Sequence, residues 1–290
     1  MTAPALTPVL RRLSCLAKDG FHDMAYWEWG APDAPRTALC VHGLSRNGRD
    51  FDDLAAALVE AGWRVVCPDV VGRGESGRLR DPLDYNPLQY RSDLVALVAR
   101  LGVEQLDWIG TSMGGLIAMV TACLPGHPIR RLVLNDIGPF VPKAALERIA
   151  ASVGQDPTWP DLEAAETFLR QAYAPFGIRG DAQWRHFTEI SVRARPEGGW
   201  GRNYDPRIAA AFEAGALKDI DLWAQWDLLD LPVLVLRGAE SDVLLPETAA
   251  EMARRGPRAE VLELPGCGHA PPLLEPSQTA PVVEWLRGGA

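Results

Sequence analysis

Gln105-Leu-Asp-Trp-Ile-Gly-Thr-Ser-Met-Gly-Gly115 is the stretch on which the fold turns. Its first half carries Leu106, Trp108 and Ile109, a short run that suits a strand buried on both faces. The segment after it, Leu116 to Leu124, is apolar nearly all round, as a helix packed under a central strand should be. At the junction stands Gly110-Thr111-Ser112-Met113-Gly114, a G-x-S-x-G elbow in the strand-to-helix context that the motif requires. A serine on so sharp a turn leaves no room for a side chain at either flank, so both flanks become glycine. Its hydroxyl then stands clear of the sheet, and the helix directs its N-terminal amides at any developing anion. Five residues alone also fit a plain turn of small residues.

Other runs of the same kind lie on either side: TALCVHG (37–43), WRVVCPD (63–69), RLVLND (131–136), PVLVLRG (232–238) and EVLELPG (260–266). Between them run helical periods, Phe51, Leu54, Ala55 and Leu58, then Tyr90, Leu94, Leu97, Val98 and Leu101 with Gly102 as a stop. Alternation of this sort predicts a mainly parallel sheet covered on both faces. Arg11 to Trp29 instead reads as two alternating stretches about Asp19-Gly20, an antiparallel hairpin at an edge. The alternation breaks from about Phe140 to Ile220, where helical patterns such as Leu162, Ala165, Phe168, Leu169 and Tyr173 follow one another without strands. This is read as a helical insertion. Trp159, Trp184, Trp200, Trp223 and Trp226 fall in it or just beyond it, fitting either its own core or a pocket wall.

A hydroxyl needs a base near neutral pH, and the chain has 5 histidines. His269, in the glycine-flanked loop Pro265-Gly-Cys-Gly-His-Ala-Pro271 after the last strand, is the candidate. His22 lies in the hairpin, His127 in a surface turn before Pro128, and His186 beside Trp184 and Phe187, where packing is the expected role. The base must be held by a carboxylate. Asp242, six residues past Leu236 and just before a helix starting at Pro246, is preferred to Glu240. Asp136, at the end of the neighbouring strand, is the rival acid and otherwise a support for the hinge into the insertion. Val41-His42-Gly43-Leu44 ends another strand at the place where a backbone amide can face the nucleophile, so Leu44 and Met113 are the expected donors of an oxyanion hole. His42 itself reads as structural, bonded beneath the loop.

Ser112, Asp242 and His269 in that order, with VHGLSRNG (41–48), DVVGRGESG (69–77), GTSMGG (110–115), GAESD (238–242) and GCGHAP (266–271), resemble the α/β-hydrolase fold family over about residues 20–287. The resemblance implies a mostly parallel eight-stranded α/β sheet flanked by helices, with residues 1–139 and 221–290 as core and 140–220 as a helical cap. Arg73 departs from it, standing where many members have histidine, and Pro281 predicts a last helix that is kinked or starts late. A serine nucleophile implies acyl chemistry, with hydrolysis of small carboxylic esters expected through an acyl-enzyme. Cleavage of carbon–carbon bonds in ring-cleavage products, or enol-lactone hydrolysis, is the alternative on the same residues. A protein that keeps the fold only to bind a ligand is the rival from another class.

Composition bounds the partners. Lys and Arg number 29 against 38 Asp and Glu, a formal charge of −9, which argues against nucleic acid and anionic lipid. No apolar run is long enough to span a bilayer and the N-terminal MTAPALTPVLRRLSCLAKDG has no secretory core, so a cytoplasmic protein is expected. The cysteines at 15, 40, 67, 123 and 267 are too scattered for a disulfide framework or zinc site, and neither metal nor cofactor is expected. The insertion is rich in Phe140, Phe168, Tyr173, Phe176, Trp184, Phe187 and Trp200 and its basic residues form no cluster, which predicts an apolar pocket for short to medium acyl or aromatic esters. An anionic ring-cleavage substrate would instead call on Arg46, Arg185 or Arg193.

Overall fold

The computed structural model describes residues 7–213 and 217–288, so the first six residues of the N-terminal stretch and three near the end of the insertion lie outside it. An antiparallel hairpin, β1 (Val9–Ala17) and β2 (Gly20–Trp29), opens the chain with Ala17 paired to Gly20, as Asp19-Gly20 predicts. Next come β3 (Arg36–Val41), α1 (Asp52–Glu60), β4 (Trp63–Pro68), α2 (Pro87–Leu101), β5 (Leu106–Thr111), α3 (Met113–Ala122) and β6 (Ile129–Asn135). The insertion holds β7 (Phe140–Val141), α4 (Lys143–Val153), α5 (Leu162–Ala172), α6 (Asp181–Ser191), β8 (Val192–Ala194), β9 (Trp200–Arg202), α7 (Ala210–Glu213) and β10 (Ile220–Asp221). The chain closes with α8 (Trp223–Trp226), β11 (Val233–Gly238), α9 (Pro246–Met252), β12 (Glu260–Leu264) and α10 (Pro276–Gly288).

Eight strands form one sheet in the order β1-β2-β4-β3-β5-β6-β11-β12, antiparallel at β1-β2 and β2-β4 and parallel thereafter. The chain winds from β3 outward to β4 and returns to β5 on the other side of β3. Loops leaving β3 and β5 therefore diverge, and a crevice opens at their carboxyl ends. One face of the sheet packs Leu39, Val41, Leu132 and Leu134 with α2 and α3; the other packs Ala38, Cys40, Val65 and Ile109 with α1 and α10. Helix α2 shows how locally this is written. Asn86 caps it by accepting from the Leu88 and Gln89 amides, Tyr90, Leu94, Leu97 and Leu101 bury one stripe, and Gly102 at φ +67° ends it. Each of those side chains contributes about 1.5–3 kcal/mol by leaving water.

Two expectations are corrected. The insertion is not free of strands. β8 and β9 form a hairpin, Val192 opposite Arg202, because Gly198 and Gly199 at φ +96° and +78° turn the chain between them. Strand β7 pairs with β10, so the chain leaves and re-enters the sheet region side by side. The last helix does not start late: it begins at Pro276 and carries Pro281 inside it. The tryptophans resolve toward core. Trp159 and Trp184 are buried in the insertion's own apolar clusters, Trp200 packs against one, and Trp223 and Trp226 belong to the main core.

Candidate active site

Ser112 follows β5 and precedes α3 at φ +51°, ψ −114°, a backbone region that costs a non-glycine residue of order 1–3 kcal/mol. Its neighbours make the turn possible: a Cβ on Gly110 would overlap the Gly114–Gly115 backbone, and one on Gly114 the Val41 carbonyl. The serine Oγ lies 3.0 Å from His269 Nε2, and His269 Nδ1 lies 2.8 Å from Asp136 Oδ2. With the Nδ1 hydrogen on the carboxylate side, Nε2 faces the hydroxyl as an acceptor. The loop bearing His269 is tied to the elbow by Asn135, whose Nδ2 donates to Pro271 O (2.9 Å) and Thr111 Oγ1 (3.0 Å).

The acid that meets His269 is thus Asp136, and the expectation of Asp242 is overturned. Asp136 is fully buried at φ +55°, and its carboxylate accepts from the Gly238 amide (2.8 Å), Ser241 Oγ (2.6 Å) and His269. Three donors hold its carboxyl group in place. The turn after β11 explains the outcome. Its closing bond, Ser241 N to Gly238 O, points Ser241 inward, where its hydroxyl also accepts from the Val243 and Leu244 amides. Asp242, next in the chain, points outward, half exposed, and takes a bidentate pair from Arg148 at 2.5 and 2.8 Å. Glu240 is exposed as well.

A Cβ on Gly43 would sit 3.6 Å from that of Ser112, so the loop after β3 runs directly beside the nucleophile. Among the described residues neither the Leu44 nor the Met113 amide has a protein acceptor. His42 lies beneath, as expected: Nδ1 donates to Gly43 O (2.6 Å), Nε2 accepts from the Val70 amide (2.9 Å), and burial pushes its pKa down to about 3. Asp69 joins the same two loops by accepting from the Gly48 and Glu75 amides, and burial pushes its pKa up to about 6.

A family model described as alpha/beta hydrolase fold matches residues 39–276. The chain belongs to the α/β-hydrolase fold family. It is 44% identical to the 3-hydroxybutyrate-oligomer hydrolase of Cupriavidus necator over 292 residues, covering 97% of this chain and 99% of that one. A bifunctional esterase/perhydrolase of Acinetobacter calcoaceticus is 26% identical, with 89% and 93% covered. A solved α/β hydrolase of Novosphingobium aromaticivorans superposes with a TM-score of 0.86 at 38% identity, covering 96% and 98%. No helix among the described residues is long and apolar enough to cross a membrane.

The departure from the α/β-hydrolase pattern at Arg73 has a visible consequence. The side chain is buried, its Nε donates to Leu44 O (2.8 Å) and Nη1 to Val71 O (2.7 Å), and its guanidinium carbon sits 4.8 Å from the Tyr90 ring. It therefore holds the carbonyl of Leu44, in the loop that runs beside Ser112. Of the other histidines, His22 pairs with Asp93 at 2.9 Å, His127 accepts from the Ile129 amide, and His186 lies 3.3 Å from Asp52, whose carboxylate raises its pKa. The cysteines are unpaired thiols.

Ser112 and His269 open into a cavity of about 550 Å³ between the crevice and the insertion. Phe168, Tyr173, Phe176 and Phe187 line it as expected, joined by Phe51, while Phe140, Trp184 and Trp200 do not. Three arginines, Arg46, Arg148 and Arg202, are on the wall as well, the last two from the insertion. Arg46 is buried against the Phe187 ring (3.9 Å), neutralised by Asp50 and donating also to Ser191 Oγ; Arg185 is exposed, and Arg193 reaches Gly74 O and Glu75 instead. Sequence reasoning misses Ser241, Arg148 and Arg202. Nothing local marks them: Ser241 and Arg148 meet their acids across the fold, and Arg202 reaches the cavity only when the insertion folds over the core.

Proposed function

We propose that this chain is a serine ester hydrolase that works through an acyl-enzyme on Ser112, with His269 as base and Asp136 as the acid that orients it. The observation carrying this reading is the unbroken hydrogen-bonded chain from Ser112 through His269 to Asp136 on a G-x-S-x-G elbow. Ser112 Oγ attacks the ester carbonyl carbon as its proton passes to His269 Nε2. Negative charge collects on the carbonyl oxygen, where the free Leu44 and Met113 amides stabilise it, each contributing about 3 kcal/mol if it behaves as other such donors do. Asp136 stabilises the imidazolium. Collapse breaks the ester C–O bond, and the imidazolium gives its proton to the departing alkoxide. Water then attacks the acyl-serine with His269 again as base, releasing the acid and restoring Ser112.

The insertion, residues 140–220, serves as a cap over a core of 1–139 and 221–290, since its side chains complete the cavity wall. Arg148 to Asp242 is one contact between the two parts, and the Pro175 carbonyl accepting from the Gly268 amide (2.6 Å) is another. Similarity to the Cupriavidus necator enzyme favours short aliphatic hydroxy-acid esters, of the 3-hydroxybutyrate-oligomer kind, as the substrate class. A mixed wall of aromatic rings and arginines suits such substrates, which are partly apolar and end in a carboxylate. The test is a fluorophosphonate label located by mass spectrometry, alongside turnover of the 3-hydroxybutyrate dimer. An adduct on Ser112 with 3-hydroxybutyrate released supports the reading; labelling elsewhere, or an intact dimer, refutes it.

A further inference from the structure

Five arginines among the described residues are buried: Arg46, Arg73, Arg131, Arg202 and Arg237. Four have charge or carbonyl partners. Arg46 has Asp50, Arg237 has Glu263 and the Leu244 carbonyl, Arg73 has the Leu44 and Val71 carbonyls, and Arg131 those of Trp285 and Leu286. Arg202 has neither. Its one hydrogen bond runs from Nη1 to the Tyr204 hydroxyl at 2.8 Å, and its buried Nε has no acceptor. Tyr204 in turn donates to Val153 O, and burial raises its pKa, so the phenol is a neutral partner. A cation 8% exposed with no counter-ion among the described residues is a costly arrangement unless something else supplies the anion.

The place where it sits indicates what does. Arg202 lines the same cavity as Ser112 and His269, its guanidinium carbon 5.8 Å from the Phe168 ring and 5.5 Å from that of Tyr204. The other two arginines on the wall are already matched, by Asp50 and Asp242; Glu240 lines the cavity too, but it is exposed and forms no ion pair with Arg202 among the described residues. Arg202 is the one arginine of the wall with no ion pair among the described residues; it lies near two aromatic rings and has planar donors that match a carboxylate.

We propose that Arg202 is the carboxylate-binding residue of the cavity, so that the preferred substrates are esters whose alcohol half is itself a free acid, held by Arg202 while the ester carbonyl lies on Ser112. This rests on the ester-hydrolase reading above and sharpens it from esters in general to anionic ones. In cleavage the carboxylate takes no part in bond making: it enters and leaves as the anion, on the released hydroxy acid.

The experiment compares two substrates differing only in that charge, the 3-hydroxybutyrate dimer as free acid and with its terminal carboxylate converted to a primary amide. Wild type should cleave the central ester of the free acid with a kcat/KM at least about tenfold above that of the amide, as expected for a hydrogen-bonded charge in a buried site. Arg202→Gln should bring that ratio close to one, and Arg202→Lys should keep part of it. A ratio near one in the wild type, or equal losses on both substrates in Arg202→Gln, overturns the role. Should Arg202→Gln not fold, the wild-type ratio and Arg202→Lys decide. A binding arm separates this claim from the reading beneath it: 3-hydroxybutyrate should raise the Tm of the wild type, its amide should not, and Arg202→Gln should lose the shift. If neither dimer is cleaved but that pattern holds, ester hydrolysis fails and the carboxylate site stands. If the pattern is absent, the site fails whatever is cleaved.

Discussion

Replacing Asp136 by asparagine separates the two acids of this chain. The carboxylate of Asp136 meets donors from every side: the Gly238 amide on Oδ1, the Ser241 hydroxyl and His269 Nδ1 on Oδ2. An asparagine can keep its oxygen toward only one of those sides, so its NH2 must confront a donor. If it faces His269, the ring is driven to the tautomer with hydrogen on Nε2, and the base can no longer accept the Ser112 proton. The loss known for the equivalent change in a serine protease triad is about 10⁴ in kcat, and about 10³–10⁴ is expected here. Stability should also fall, by about 1.5–3 kcal/mol for one lost charge-assisted bond at a buried site. Asp242→Asn removes only a half-exposed pair with Arg148, worth at most about 1 kcal/mol, and should change kcat less than about threefold. The assay is steady-state cleavage of a p-nitrophenyl ester by both variants, with melting curves to confirm folding. A larger kcat loss in Asp242→Asn than in Asp136→Asn would refute the assignment and restore the acid expected from sequence spacing.

Ser112→Ala should abolish turnover and fluorophosphonate labelling while relieving little of the elbow's geometry, because one hydroxyl is lost; measurable turnover would show another nucleophile. Arg73→Met removes the donor to the Leu44 carbonyl, and with it a hold on the loop beside Ser112, so kcat should fall about tenfold with KM nearly unchanged, within the 10²–10³ ceiling for losing an oxyanion donor outright. A fall in Tm with unaltered kcat would make Arg73 structural only. His42 carries the acid prediction: its folded pKa, about 3, is below the ordinary value near 6.5, so below that value the unfolded chain binds a proton that the folded chain does not. Stability should therefore be unaffected by this group at neutral pH and fall by up to about 1.4 kcal/mol per pH unit as pH drops from roughly 6.5 toward 3. Asp69, raised to about 6, contributes with the opposite sign over roughly pH 4–6, so the His42 share is read as the difference between wild type and His42→Asn, if it folds, in urea unfolding at pH 7, 6, 5 and 4.

The strands and the elbow are legible in the sequence because their constraints are local. A Cβ at Gly110 or Gly114 has nowhere to go, and a β-branched run with no polar alternation is a two-sided strand wherever it occurs. The Asp19-Gly20 hairpin and the Gly102 stop are set by one or two residues each. The short strands of the insertion escape because three-residue pieces such as Val192–Ala194 carry no period; they exist by pairing, not by propensity. His269 is legible for a different reason: the other four histidines each have a plainer environment, and the structure gives each a partner elsewhere.

The acid and the cavity wall are not legible, and for the same physical reason. Asp136 and Asp242 both follow parallel strands that are neighbours in the sheet, and sequence spacing measures how far a residue lies past a strand but not which way its side chain points. That direction is settled by a single turn, Gly238 to Ser241, which sends one side chain in and the next one out. The wall repeats the lesson in charge. Aromatic residues counted along the insertion do predict aromatic residues on the cavity, since any cap that buries rings also presents some. Basic residues counted the same way predict none, because Arg46, Arg148 and Arg202 come from three distant segments and form a wall only when folded. Two of them then vanish as net charge against Asp50 and Asp242, the second of these 94 residues from its partner. What a ligand meets is the remainder after pairing, a quantity that no window along the chain contains.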